Sequence, residues 1–217
     1  VNCLRNTAIG FQAMSVGSSH DPQDSIAIGY RALQGLNDGD RNVAVGSKAG
    51  KAITTGSDNV LMGSEAGNAM ISESRIVAIG TGALSANDTT NGHSGDASEG
   101  SGSVAIGYNA LSNLNGMSAI RNTAIGYEAM LTPAAVSIAD NTALGFRALK
   151  SIDNNAGDNN TGIGSFSLNN VTSGNANTSL GSLSGAHIGS GANNTFIGYA
   201  AGANGEADDI ASNTATD

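Results

Sequence analysis

Large side chains are scarce in this sequence. It has no tryptophan, and four tyrosines and four phenylalanines bring its aromatic share to only 4% of 217 residues. A globular domain of that length normally fills a three-dimensional core with Leu, Phe and Trp. Here the apolar share is 39%, much of it alanine, which excludes one bulky core and calls for flatter, more regular burial of small side chains. Charge is scarce as well, at 12%. Disorder normally comes with high net charge and few β-branched residues, whereas Ile and Val recur here at regular places, so the chain is expected to be ordered. Cations are the scarcest charged class: nine Lys and Arg against 18 Asp and Glu leave a net charge of −9 and an isoelectric point near 4.5. A basic patch for phosphate is missing, which excludes nucleic acid as a partner; an acidic balance is the ordinary condition of secreted and extracellular proteins. The single cysteine, Cys3, cannot close an intrachain disulfide. It reads as a reduced or buried thiol, with an intermolecular bridge as the alternative. No apolar run approaches the ~18 residues of a membrane span, so no membrane insertion is expected. No basic segment followed by an apolar one marks a signal peptide. The chain starts and stops in mid-pattern, as a piece of something longer would.

What the sequence has in abundance is glycine, 31 residues in all. Eleven of them align the whole chain: Gly10, Gly29, Gly46, Gly63, Gly80, Gly107, Gly126, Gly145, Gly164, Gly181 and Gly198. Their intervals are 19, 17, 17, 17, 27, 19, 19, 19, 17 and 17 residues. The words before them nearly repeat, as in Asn6-Thr7-Ala8-Ile9-Gly10, Asn42-Val43-Ala44-Val45-Gly46 and Asn141-Thr142-Ala143-Leu144-Gly145. Such a period is the signature of a solenoid, each repeat one unit that buries its apolar surface only against its neighbours.

Each word carries the two-residue period of a strand. Thr, Val or Ile three places before the glycine shares a face with the Ile, Leu, Val or Met just before it. The Ala between them shares the opposite face with the glycine. Neither face is charged, so the strand should be covered on both sides. The expectation is that the large face lines the interior of the coil and the small Ala/Gly face meets another chain. One short strand, a polar turn and a second short strand would use up a rung of 17–19 residues. Helix is excluded, because no segment keeps apolar residues at i, i+3, i+4 and i+7 and a glycine every 17 residues would interrupt it. The fold class is therefore all-β: a parallel β-solenoid of about eleven rungs in a single segment spanning 1–217. Its repeats run over about 5–202, an exposed insertion covers 87–102, and 203–217 is a tail that leads to a further segment or is disordered. At about 4.8 Å per rung it would be roughly 50 Å long.

Stacking in register has consequences at single positions. Five residues before the glycine, charge alternates through Arg5, Asp24, Arg41, Asp58 and Arg75, and resumes with Arg121 and Asp140. One place further on, Asn stands in eight of eleven copies: Asn6, Asn42, Asn59, Asn122, Asn141, Asn160, Asn177 and Asn194. Stacked amides can bond to one another along the axis. Phe11, Tyr30, Tyr108, Tyr127, Phe146 and Tyr199 directly follow the glycine and should form a packing ladder.

Catalytic and metal-binding patterns are missing. His20, His93 and His187 sit in separate loops, and no Ser/His/Asp or Cys/His arrangement stands out. Gly162-x-Gly164 is part of the repeat rather than a phosphate turn, since no helix follows it. The Gly/Asp nonapeptide of calcium rolls is absent, leaving an acidic turn as the only place for calcium. No enzyme activity and no cofactor are expected. The 27-residue interval carries a polar surplus from Asn87 to Gly102, and in repeat proteins such insertions form exposed loops where binding often sits. Asn91, His93, Asp96 and Glu99 are its candidate binding residues.

The words Asn122-Thr123-Ala124-Ile125-Gly126-Tyr127-Glu128-Ala129-Met130 and Ser103-Val104-Ala105-Ile106-Gly107-Tyr108-Asn109-Ala110-Leu111 resemble the head repeat of YadA-like trimeric autotransporter adhesins and the similar repeats of bacteriophage tail fibres. The resemblance runs from about Asn6 to Gly202. It implies a left-handed β-roll with three chains packed about a common axis. A period longer than in the adhesin heads, and the lack of a coiled-coil stalk or membrane anchor, favour the phage branch. The function expected is a non-enzymatic structural and attachment fibre on a virion or cell surface. Its partners would be itself, as a homotrimer, and a host-surface polysaccharide or protein receptor. A bacterial adhesin head is the alternative, as is a single-chain recognition solenoid such as an ice-binding protein. Thr7, Thr123, Thr142, Thr161, Thr178 and Thr195 would serve that last reading. They are expected on the buried Ile face, and Ile26, Val43, Val60, Val77 and Val104 interrupt them, both of which count against it.

Overall fold

The computed structural model describes residues 4–15, 21–85, 102–113, 121–132, 138–152 and 157–203. They form a parallel β-solenoid with eleven strands in a single sheet, ordered along the sheet as along the chain. The strands are β1 (Thr7–Ile9), β2 (Ile26–Ile28), β3 (Val43–Val45), β4 (Val60–Met62), β5 (Val77–Ile79), β6 (Val104–Ile106), β7 (Thr123–Ile125), β8 (Thr142–Leu144), β9 (Thr161–Ile163), β10 (Thr178–Leu180) and β11 (Thr195–Ile197). Equal repeat positions pair directly, for example Ala124 with Ala143 and Ile125 with Leu144. No helix occurs among the described residues.

Among the described residues each rung has one strand rather than the expected two, and outside it only a single parallel bridge forms, Val171 with Gly189. The rest of the rung is turned by left-handed residues. Arg41, Lys48 and Gly50, for instance, have φ of 54°, 58° and 57°. These residues bend the chain too sharply for a second strand. They still leave backbone bonds between rungs, such as Leu33 N–H to the Ala49 carbonyl and Gly50 N–H to that of Ala66. The repeat glycines serve a separate need. Their φ lies between 117° and 142°, a region L side chains avoid. A Cβ at Gly10, Gly63, Gly80 or Gly145 would stand 2.5–2.6 Å from the carbonyl oxygen of the glycine one rung on. Small size here lets rung meet rung.

That finding bears on which face is inside, and the expectation is reversed. The strand's middle residue points inward: Ala27, Ala44, Leu61, Ala78, Ala105, Ala124 and Ala143 are wholly buried. The large residues point out, with Ile26, Met62, Leu144, Leu180 and Ile197 exposed. The reason is space. The interior is already filled by Leu33, Leu84, Leu111, Met130, Leu149 and Leu168, four places after their glycines, and by the residue before each, Ala in every case but Ser167. Opposite such a wall the strand can offer little more than a methyl group. Where it offers more, the wall retreats: Leu61 lies beside Gly50 and Gly67, and Phe196 beside Gly185 and Gly202, where any Cβ would strike those side chains.

The asparagine column holds the rungs together from within. Asn42, Asn59, Asn122, Asn141, Asn160, Asn177 and Asn194 are buried. Each Oδ1 with a following rung accepts its backbone N–H, as Asn59 Oδ1 does from Ile76 at 2.9 Å and Asn141 Oδ1 from Asn160 at 2.8 Å. The Nδ2 groups donate across the rung, from Asn42 to the Gly56 carbonyl and from Asn177 to that of Gly191, both at 2.8 Å. A buried amide with its partners met is stabilising, whereas removing one side leaves the other unpaired.

Candidate functional site

With the interior closed by its own side chains, the surfaces able to act are the outer strand face and the corner after it. The outer face is a stripe of Ile, Val, Leu and Met, one per rung. Ile9, Met62, Leu144, Leu180 and Ile197 are 42–70% exposed, and the rest of the column is half-buried. Parallel sheets occur almost only with both faces covered, and an apolar stripe of such length marks an interaction surface. The threonines share this outward face, with Thr178 and Thr195 exposed and Thr123, Thr142 and Thr161 half-buried. Burial therefore does not count against a Thr array, contrary to the expectation above.

The aromatic column stands at the following corner in two ladders. Phe11 stacks on Tyr30 with centroids 5.8 Å apart. Tyr108 stacks on Tyr127 at 5.1 Å and Tyr127 on Phe146 at 5.4 Å. Phe166 meets Phe146 edge-on at 5.2 Å. Arg31 and Arg147 place their guanidinium carbons 5.0 Å from the Tyr30 and Phe146 centroids, favourable cation–π positions. Between the ladders the column is Ser47, Ser64 and Thr81.

Charges pair as the alternation predicts. Arg5 meets Asp24, Arg41 meets Asp58 and Arg121 meets Asp140, each through two hydrogen bonds. The arginine hydrogen bonds hold Asp24, Asp58 and Asp140 below the usual carboxylate range. Glu128 lies between Lys150 and Arg147, both at 2.8 Å; the bond from Lys150 is foremost in lowering its pKa. Glu73 goes the other way, because burial raises it, although backbone N–H groups of Ile71 and Ser72 donate to its carboxylate.

His187 is exposed, while Cys3, His20 and the candidate loop residues Asn91, His93, Asp96 and Glu99 lie outside the described residues, as does the insertion except Gly102. Among the described residues, no three of His, Cys, Asp and Glu come together as metal ligands would. No helix there is long and apolar enough to cross a membrane. Gly162 occupies an inward strand position where a Cβ would press to 3.3 Å from Leu149 Cγ, which gives it a packing role. Compared with protein-family models, curated proteins and solved structures, the chain matches none.

Proposed function

We propose that the chain is a rigid, non-enzymatic segment of an attachment fibre of the phage tail-fibre kind. Three copies pack through their outer strand faces, on a virion or cell surface, and present their corners and loops to a host polysaccharide or protein receptor. The exposed Ile/Leu/Met column carries this reading. The sheet is finished on its inner face and bare on its outer one, and the bare stripe repeats with every rung. A second copy laid alongside would thus meet a matching stripe along the whole length. The number three comes from the resemblance to YadA-like head repeats, and closure about an axis satisfies each copy's stripe without leaving an open edge. A bacterial adhesin head would use the same stripe in the same way.

Light scattering after size-exclusion chromatography tests the assembly. A mass near three times 21.4 kDa is expected, and Ile125→Asp should give a folded chain of one-third that mass. A wild-type monomer would overturn the reading. It would favour the single-chain alternative, for which the outward Thr123, Thr142, Thr161, Thr178 and Thr195 are the observation and ice-growth inhibition the assay.

A further inference from the structure

We propose that a cleft at the end of the Tyr108 ladder is a binding subsite for a neutral sugar ring. The proposal rests on the attachment reading and gives it a location. Tyr108 stacks on Tyr127 with one face. On the side of the preceding rung its column neighbour is Thr81, which carries no ring, and among the described residues no guanidinium lies over Tyr108 as Arg31 and Arg147 lie over Tyr30 and Phe146. Tyr108 is 46% exposed. The next column completes the gap. Arg31, Lys48, Glu65, Glu128 and Arg147 project long side chains there, but the rung beside Tyr108 has Gly82, and a Cβ on it would strike Asn109 Oδ1. What results is a cleft of about 330 Å³ lined by Thr81, Gly82, Tyr108 and Asn109, with Glu65 and Ser112 among its other walls. That volume is at the small end of ligand sites.

The lining selects the ligand. It offers the aromatic face of Tyr108, the hydroxyl-bearing side chains of Thr81, Ser85 and Ser112, and the Asn109 amide, which has no side-chain hydrogen bond to other described residues. Its one charge, Glu65, is paired with Lys48 at 2.8 Å. An anion would find no cation in the lining and a protein of charge −9; a cation would find only a neutralised carboxylate. A pyranose fits on both counts, since one face of the ring presents C–H groups to an aromatic surface while its hydroxyls reach amide and hydroxyl partners at the edge. Each ring face in contact contributes as aromatic contacts do.

The assembled full-length chain is titrated by saturation-transfer NMR with the methyl glycosides of glucose, galactose, mannose, N-acetylglucosamine and N-acetylgalactosamine. At least one should bind, and Tyr108→Ala should weaken it about tenfold. Thr81→Tyr extends the ladder into the cleft, so it should abolish binding while the thermal midpoint is kept or raised; Tyr30→Ala should leave binding unchanged. Binding that survives Thr81→Tyr in a folded protein overturns the site but leaves the attachment reading intact. No binding of any of the five by a trimer also overturns the site, whereas a monomeric wild type overturns the assembly on which the attachment reading stands.

Discussion

The described residues of 43–85 and 104–152 build the same rung, with opposite fillings around Leu61. In the first block the strand supplies a large residue, Leu61, and the wall opposite shrinks to Gly50 and Gly67. In the second, Ala105, Ala124 and Ala143 face Leu111, Met130 and Leu149, all buried. Outside, Ser47, Ser64 and Thr81 with the Lys48–Glu65 pair occupy the corner that Tyr108, Tyr127 and Phe146 occupy in the other. The asparagine column also differs. It ends at Ile76 in the first block and runs from Ser103 through Asn122, Asn141 and Asn160 in the second. Common to both are the repeat glycines and the rung-to-rung backbone bonds. The shared scaffold is thus main chain and glycine, while side chains need only conserve total volume, as cores elsewhere do.

The comparison can be broken most severely at Leu61. Leu61→Ala should leave a cavity that two neighbouring glycines cannot fill, costing about 3–5 kcal/mol by denaturant unfolding; a loss under 1 kcal/mol would mean the rung collapses freely. Ala124→Leu imposes the first block's strand on the second block's wall and should cost about 1–3 kcal/mol through overpacking. Adding Leu111→Gly and Met130→Gly should recover part of it, and no recovery would refute the exchange of volume. Asn141→Leu interrupts the continuous column and strands the Asn160 N–H, for about 1–3 kcal/mol. Asn59→Leu strands the Ile76 N–H in the same way and should cost a similar amount, and the two thermal midpoints compare them. Smaller effects come from charge. Glu73 is raised by burial, so its penalty is absent below its ordinary pKa and grows as pH rises toward its folded value. Glu73→Gln should raise the melting temperature at pH 8 and not at pH 4. The smallest belongs to the exposed pairs present in both blocks. Asp58 and Asp140 are lowered, so their contribution is present above the ordinary carboxylate pKa and lost as pH falls through the folded one. Arg41→Ala and Arg121→Ala should each slightly flatten that acid limb, by similar amounts.

Much of this was legible in the residues. The spacing of Gly10 to Gly198 located all eleven strands, and the Asn and Arg/Asp columns gave the register, because stacking places equal positions in contact. The facing was not legible from the strand words alone. Both faces of Thr123-Ala124-Ile125 are uncharged, so alternation separates them without saying which is inside. The answer lay outside the strand, in the Leu111/Met130 column and in Leu61 and Phe196 being matched by glycines. The second strand was expected because nothing in Lys48 or Glu65 announces a left-handed backbone. The cleft beside Tyr108 came from a pair of absences, Thr81 where a ring stands and Gly82 where a long chain stands, visible only once the columns are stacked.

The glycine column has one more consequence. Between Gly80 and Gly107 the chain takes 27 residues, and between neighbouring glycines elsewhere 17 or 19, yet Val77 still pairs with Val104 and Ile79 with Ile106. The longer interval leaves the register, and with it the pitch, alone. The molecule therefore works as a ruler with fixed graduations: adding or deleting a repeat changes its length in steps of about 4.8 Å, and lengthening a loop does not change it at all.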